Sequence, residues 1–196
     1  MKAKIKATTV DKYLSPIREQ ICDLVAPESE VLEIGCGNGD LLFRLSPKIK
    51  YALGMDIDES LIDYANERKH LEGSENLDFQ VADAVQEDLG QSTYDYAIVS
   101  LVLHVIKPEE AKLLVHKLIG IADQMIICGF CAPTNRWQRL LLWMDQRFSG
   151  HYANFKAYQI HGYMQGVLLE LQSVQIEEFD TFDPVIKLYR LSKSVE

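Results

Sequence analysis

The chain has 196 residues, 47% apolar and 25% charged, enough for one globular domain with a substantial core and too few to expect two. With 20 Lys and Arg against 29 Asp and Glu, the net charge of −9 argues against a broad nucleic-acid footprint. No apolar run approaches the length of a bilayer span, and the opening MKAKIKATTV lacks the apolar stretch of a secretory signal, so a cytoplasmic protein is the expectation.

The first fifteen residues are polar and read as a leading arm. Ser15-Pro16 then has the form of an N-cap followed by proline at the first helical position. Ile17, Ile21, Leu24 and Val25 recur at helical spacing until Pro27, so residues 1–29 are expected to supply an N-terminal accessory helix. The stretch VLEIGCGNGDLLFRL, Val31 to Leu45, follows. Val31, Leu32 and Ile34 have the composition of a buried strand, Gly35, Gly37 and Gly39 form a glycine-rich turn, and Asp40 to Leu45 reads as a short helix stopped by Pro47. Such a turn lets main chain approach a ligand closely at the carboxyl end of a strand.

The spacing separates two kinds of ligand. The dinucleotide fingerprint G-x-G-x-x-G rests a pyrophosphate on the helix N-terminus. Here the third glycine falls one residue early, at Gly39, and Asp40 stands where glycine should be. Glu33 adds a second carboxylate just before the turn. Two acids would repel a pyrophosphate where water is excluded and would suit a cationic ligand. The stretch resembles motif I of the class I S-adenosylmethionine-dependent methyltransferases, in which an acidic residue, an apolar residue and G-x-G-x-G follow one another. That resemblance implies an S-adenosylmethionine cofactor, held here by Glu33, Gly35, Cys36, Gly37, Asn38 and Gly39. It also implies that Tyr13 and Arg18 reach the cofactor from the preceding helix, against the alternative of a solvated helix face.

Tyr51 to Ile57 forms a second strand ending in Asp56, about 20 residues after the turn, where an acid hydrogen-bonds ribose hydroxyls. A carboxylate accepts from both adjacent hydroxyls, and Asp58 is better placed to cap the helix expected over Glu59 to His70. Ile57 joins Asp56 in the implied cofactor site. Leu77 to Ala84 alternates like a strand and stops at another acid. In the resembled family such an acid receives the adenine amino group and the next amide meets a ring nitrogen, which would be Asp83 and Ala84, although an acid at a strand end also forms turns.

The fourth strand is read over Tyr94 to His104, nearly continuous in apolar character as a strand buried on both faces should be. The resemblance places Ser100 and Leu101 along the methionine end of the cofactor and His104 at a position often held by histidine. Lys107-Pro108-Glu109-Glu110 opens a helix with Ala111, Leu114, Val115 and Leu118 on its buried side, and Gln124 to Phe130 is a fifth strand. The family's common K-P-G-G turn is replaced by Ile119 to Asp123.

Cys22, Cys36, Cys128 and Cys131 are read as reduced thiols: Cys128-Gly-Phe-Cys131 lacks the second pair of a structural zinc site and closes a strand rather than opening a redox helix, so no metal is expected. Arg136 to Phe148 is amphipathic, with Trp137, Leu140, Leu141, Met144 and Phe148 on one stripe and Leu142 and Trp143 on another face. Such a stripe is most often core, and its excess apolar surface leaves room for a lid, a dimer contact (a homodimer among the partners) or a membrane-surface contact. Residues 131–165 are read as a substrate cap. Gly150 to Tyr158 reads as a loop, Tyr158 to Leu171 as a helix, and Val174–Phe179 with Val185–Leu191 as an antiparallel hairpin around Asp183-Pro184.

Strands alternate with helices from residue 31 to about 130, the signature of an α/β, mostly parallel, doubly wound sheet. Closed by the C-terminal hairpin, it would have seven strands with helices on both faces, in a single domain over residues 1–196. Methyl transfer from a sulfonium needs orientation first, and an oxygen or protonated nitrogen acceptor also wants a base. His104 is the candidate catalytic residue, with His151, Tyr152 and His161 behind it and packing or surface roles as the alternative. Ser-Leu-Val-Leu after the fourth strand is not the (D/N/S)-P-P-(Y/F) of base-modifying DNA enzymes, so no DNA partner is expected and a small-molecule acceptor leads, with protein or RNA as alternatives. A non-catalytic fold relative acting as a binding protein and an NAD(P)-dependent oxidoreductase are the readings from other classes.

Overall fold

The computed structural model of the chain describes residues 2–90, 93–169, 171 and 174–193, and side chains from residue 12 onward. The chain folds as two compact units, residues 1–88 with 94–96, and residues 89–93 with 97–196. One strand, β4 (Tyr94–Ser100), passes from the first unit into the second.

In the first unit the apolar runs pair as parallel strands. Leu32 of β1 (Glu30–Ile34) lies opposite Leu53 of β2 (Tyr51–Asp56), and Asp56 opposite Val81 of β3 (Leu77–Val81). Between them run α2 (Asp40–Leu45), which buries Leu41, Leu42, Phe43 and Leu45, and α3 (Glu59–Glu72). The Asp58 carboxylate accepts from the Ser60 and Leu61 amides at the start of α3, and Gly73 at φ 67 ends it two residues beyond the expected His70. The leading arm and the Ser15-Pro16 helix start are corrected: α1 is one helix over Lys2–Leu24 with Pro16 inside it. An interior proline costs about 3 kcal/mol. Ile17, Ile21 and Val25, all fully buried, anchor the stretch that follows the proline.

The second unit contains α4 (Pro108–Ile121), β5 (Ala122–Phe130), α5 (Arg136–Arg147), α6 (Tyr152–Ile160), α7 (Tyr163–Leu168), β6 (Val174–Asp180) and β7 (Ile186–Lys193). The two C-terminal strands form the expected hairpin, and β7 also pairs antiparallel with β5. The strand order is β3-β2-β1-β4-β5-β7-β6, the expected seven-stranded sheet.

Four readings in this half are corrected. β4 stops at Ser100 rather than His104, because Leu101 turns to φ 56, and its N–H donates to Cys128 O at 2.9 Å. The expected loop at 150–158 is mostly α6, and the expected single helix from Tyr158 is interrupted at Gly162, φ 91. On α5 the apolar stripe faces outward: Trp137 is 74% and Phe148 86% exposed, whereas Leu142 is only 5% exposed and Gln146 is buried with it. Periodicity shows that a helix has two faces; it does not show which one meets the core.

Candidate functional site

In the first unit the site is built by the glycine turn after β1. Gly35, Gly37 and Gly39 have φ of 73, 55 and 75, a conformation that costs other residues about 1–2 kcal/mol each. A Cβ on Gly39 would stand 2.6 Å from the Phe79 ring, so that position excludes a side chain twice over. Cys36 is buried against Gly54, where a Cβ would meet its Sγ at 2.8 Å.

Hydrogen bonds fasten the turn to the next strand. The Gly35 and Cys36 amides donate to Met55 O at 2.7 and 3.1 Å, and the Gly37 amide donates to Asp56 Oδ2 at 2.8 Å. The other oxygen, Asp56 Oδ1, accepts the Asp58 N–H at 2.9 Å. Ala82 N–H donates to Asp56 O at 2.9 Å, which brings the end of β3 and the adjoining Asp83 to the same edge. Asp83 Oδ1 accepts the Val85 amide at 3.0 Å, and Ala84 is buried. Asn38 Oδ1 accepts the Asp40 amide at 3.2 Å, and Ile57, 73% exposed, is an apolar side chain next to Asp56. The carboxyl ends of β1, β2 and β3 thus carry the glycine turn, Asp56 and Asp83 together.

The electrostatics differ from the two free carboxylates expected. Asp40 is already countered by Arg18 at 2.8 Å, by Arg44 at 2.9 Å and by Arg68 at 3.5 Å, and these guanidinium partners hold its pKa below the usual carboxylate value. Arg18 therefore serves Asp40, and Arg68 also lies 4.0 Å over the Phe43 ring. The Arg44 pairing is readable at helical spacing from Asp40; Arg18 and Arg68 come from distant segments with no local signal. Glu33 is 3% exposed, and its Oε2 has no hydrogen-bond partner. Burial pushes its pKa up to about 8, partly opposed by Arg18, so at neutral pH it is mostly protonated.

In the second unit, Ser100 and Leu101 are both partly exposed, and Leu101 keeps a left-handed backbone that is uncommon for such a residue. His104 is 7% exposed, with its ring 4.8 Å from Phe130, 6.2 Å from Phe155 and 6.3 Å from Tyr158, centroid to centroid. Burial, with His151 nearby, lowers its pKa to about 4, so it is neutral at pH 7. His151 and His161 are exposed on the ends of α6, and the His161 ring contacts Ala157 O at 2.8 Å. All four cysteines are free; Cys128 and Cys131 are buried. Among the described residues no helix is long and apolar enough to cross a membrane.

A family model described as a methyltransferase domain matches residues 31–121. An uncharacterized methyltransferase of Staphylococcus carnosus is 34% identical over 104 residues, 51% of this chain and 47% of that one. A probable ribosomal RNA small subunit methyltransferase A of Methanosarcina mazei is 28% identical over 121 residues, 59% of this chain and 43% of that one. The chain thus spans less than half the length of these curated relatives. The magnesium protoporphyrin IX methyltransferase of Synechocystis PCC 6803, solved with bound SAH, superposes with a TM-score of 0.64 at 21% identity, covering 96% of this chain and 82% of that one.

Proposed function

We propose that the chain, whose residues 31–121 match a methyltransferase domain, is a class I S-adenosylmethionine-dependent methyltransferase that transfers a methyl group to a small-molecule acceptor. The observation that carries this reading is the bond from the Gly37 amide to Asp56 Oδ2, which holds a bare glycine turn beside a strand-end carboxylate.

The residues fit this cofactor. Each Asp56 oxygen has one hydrogen bond, and a carboxylate oxygen has room for a second, from a ribose hydroxyl. Asp83 would accept from the adenine amino group, the Ala84 amide would donate to a ring nitrogen, and Ile57 would lie against the base. Gly35, Cys36, Gly37, Asn38 and Gly39 present main chain to the ligand. The orphaned Glu33 oxygen would be drawn into ionisation by the cofactor's positive charges. On the same reading Ser100 and Leu101 line the methionine end.

When bound, S-adenosylmethionine supplies an electrophilic methyl carbon that passes in line to the acceptor's lone pair, while the carbon–sulfur bonding pair stays with sulfur as a neutral thioether. Orientation of this kind supplies about 7–11 kcal/mol in favourable cases. His104 is the proposed base for an O–H or N–H acceptor. It is neutral at pH 7, and its low basicity restricts it to a proton made acidic as the new bond forms. Residues 131–165 are proposed as the substrate cap. A ribosomal RNA acceptor, as in the name of one relative, is the second reading; the net charge of −9 weighs against it.

Calorimetric titration with S-adenosylhomocysteine tests the cofactor site. Binding should be strong for the natural chain and lost or greatly weakened in Asp56→Ala. Equal affinity in both, or binding of NAD in place of the nucleoside, refutes the proposal.

A further inference from the structure

The outward face of α5 is continuous with a cavity of about 480 Å³ against α6 and α7. That volume lies within the roughly 300–1,000 Å³ of small-molecule pockets. Leu142, Phe155 and Tyr163, all buried, line it together with the partly exposed Trp143, while Arg136 and Arg139 stand exposed on α5 at its rim. One helical turn separates the two arginines, which places their side chains on neighbouring positions of one face.

Neither guanidinium has an ion-pair partner among the described residues. Two adjacent, uncompensated guanidiniums over aromatic walls are suited to an anion, because the planar fork pairs with a carboxylate or phosphate and stacks on rings. The cavity is also tied to the segment after β4. Phe155 lines it and meets the His104 ring edge-on, and Asn154 Nδ2 donates to Val105 O at 2.7 Å.

We infer that this cavity binds the methyl acceptor, and that the acceptor is an organic anion with an apolar, ring-sized body, its carboxylate or phosphate held by Arg136 and Arg139. Its identification as the acceptor rests on the methyl-transfer reading; the binding of an anion does not. The apolar body displaces water from Leu142, Phe155 and Tyr163, and the charged group sets its orientation.

The test uses the full chain, without nucleoside, and calorimetric titration with 1-naphthoate, 1-naphthyl phosphate and the neutral 1-naphthamide. The anions should saturate one site, with the amide at least about tenfold weaker. In the double variant Arg136→Gln, Arg139→Gln that preference should vanish; both positions are exposed, so the fold should persist. A response to only one anion identifies the head group. Equal affinity for the amide, no saturable binding at all, or an anion preference surviving in the double variant overturns the inference. S-adenosylhomocysteine is titrated separately. Anion selectivity without nucleoside binding would sink the methyl-transfer reading alone, and nucleoside binding without anion selectivity would sink this inference alone.

Discussion

Glu33→Gln offers a direct measure of what the buried carboxyl group costs the ligand-free fold. Its pKa stands at about 8 in the folded chain against an ordinary 4.5, so between these values the folded state holds a proton that the unfolded chain has released. Stability then falls as pH rises, because the unfolded state binds fewer protons. The contribution is fully present below pH 4.5 and is lost as pH rises through 8. The slope is about 1.4 kcal/mol per pH unit, giving a loss of about 2–3 kcal/mol between pH 5 and pH 7. A glutamine amide cannot ionise, so urea unfolding at a series of pH values should show the variant gaining on the natural chain by that amount. Parallel stability curves from pH 5 to 8 would refute the reasoning. A second readout follows from the same proton: binding a cationic nucleoside near pH 7 should release it, seen as a dependence of calorimetric heat on the buffer's ionisation enthalpy.

Gly39→Ala should destabilise the chain by about 2–4 kcal/mol, from left-handed strain plus the Phe79 contact at 2.6 Å, whereas Gly37→Ala, with open space at its Cβ, should cost only about 1–2 kcal/mol; denaturant midpoints distinguish them, and equal losses count against the packing account. Leu101→Gly should be more stable than Leu101→Ala by about 1 kcal/mol, since only glycine removes the penalty of φ 56, and the reverse order in thermal unfolding would contradict that backbone. His104 should show no NMR titration of its ring protons from pH 8 down to about 5, because burial holds its pKa near 4; a midpoint near 6.5 would mean the ring cluster is open. Its folded pKa is depressed, so its contribution to stability is present above pH 6.5 and declines as pH falls toward 4.

Much of the first unit is legible in the sequence because its signals are local. Val31, Leu32 and Ile34 mark a buried strand by composition, and the three glycines mark a turn that few other residues can make. Asp56 and Asp83 are legible because each ends a strand-like run, and Asp58 because it precedes a helix. What escapes is whatever depends on partners distant in sequence. Pro16 argues for a helix start, yet the helix runs through it from Lys2. The stripe on α5 is correctly amphipathic, yet Leu142 rather than Trp137 is the side chain that packs inward. Asp40 looks like a free charge because Arg18 and Arg68 come to it from other helices. The rings that enclose His104 come from β5 and α6, which the sequence places 26 to 54 residues away.

The convergence on Asp40 has a genetic consequence. α1, α2 and α3 each contribute one guanidinium to a single carboxylate. Losing the acid alone would take the shared carboxylate from three neighbouring cations, although Arg44 keeps Glu19 and Arg68 keeps Glu72, while losing it together with Arg18 or Arg68 would remove donor and acceptor at once. The double changes should therefore be milder than the sum of the single ones. Divergent sequences are expected to exchange these positions as a set, so that drift at residue 40 is gated by drift in three helices.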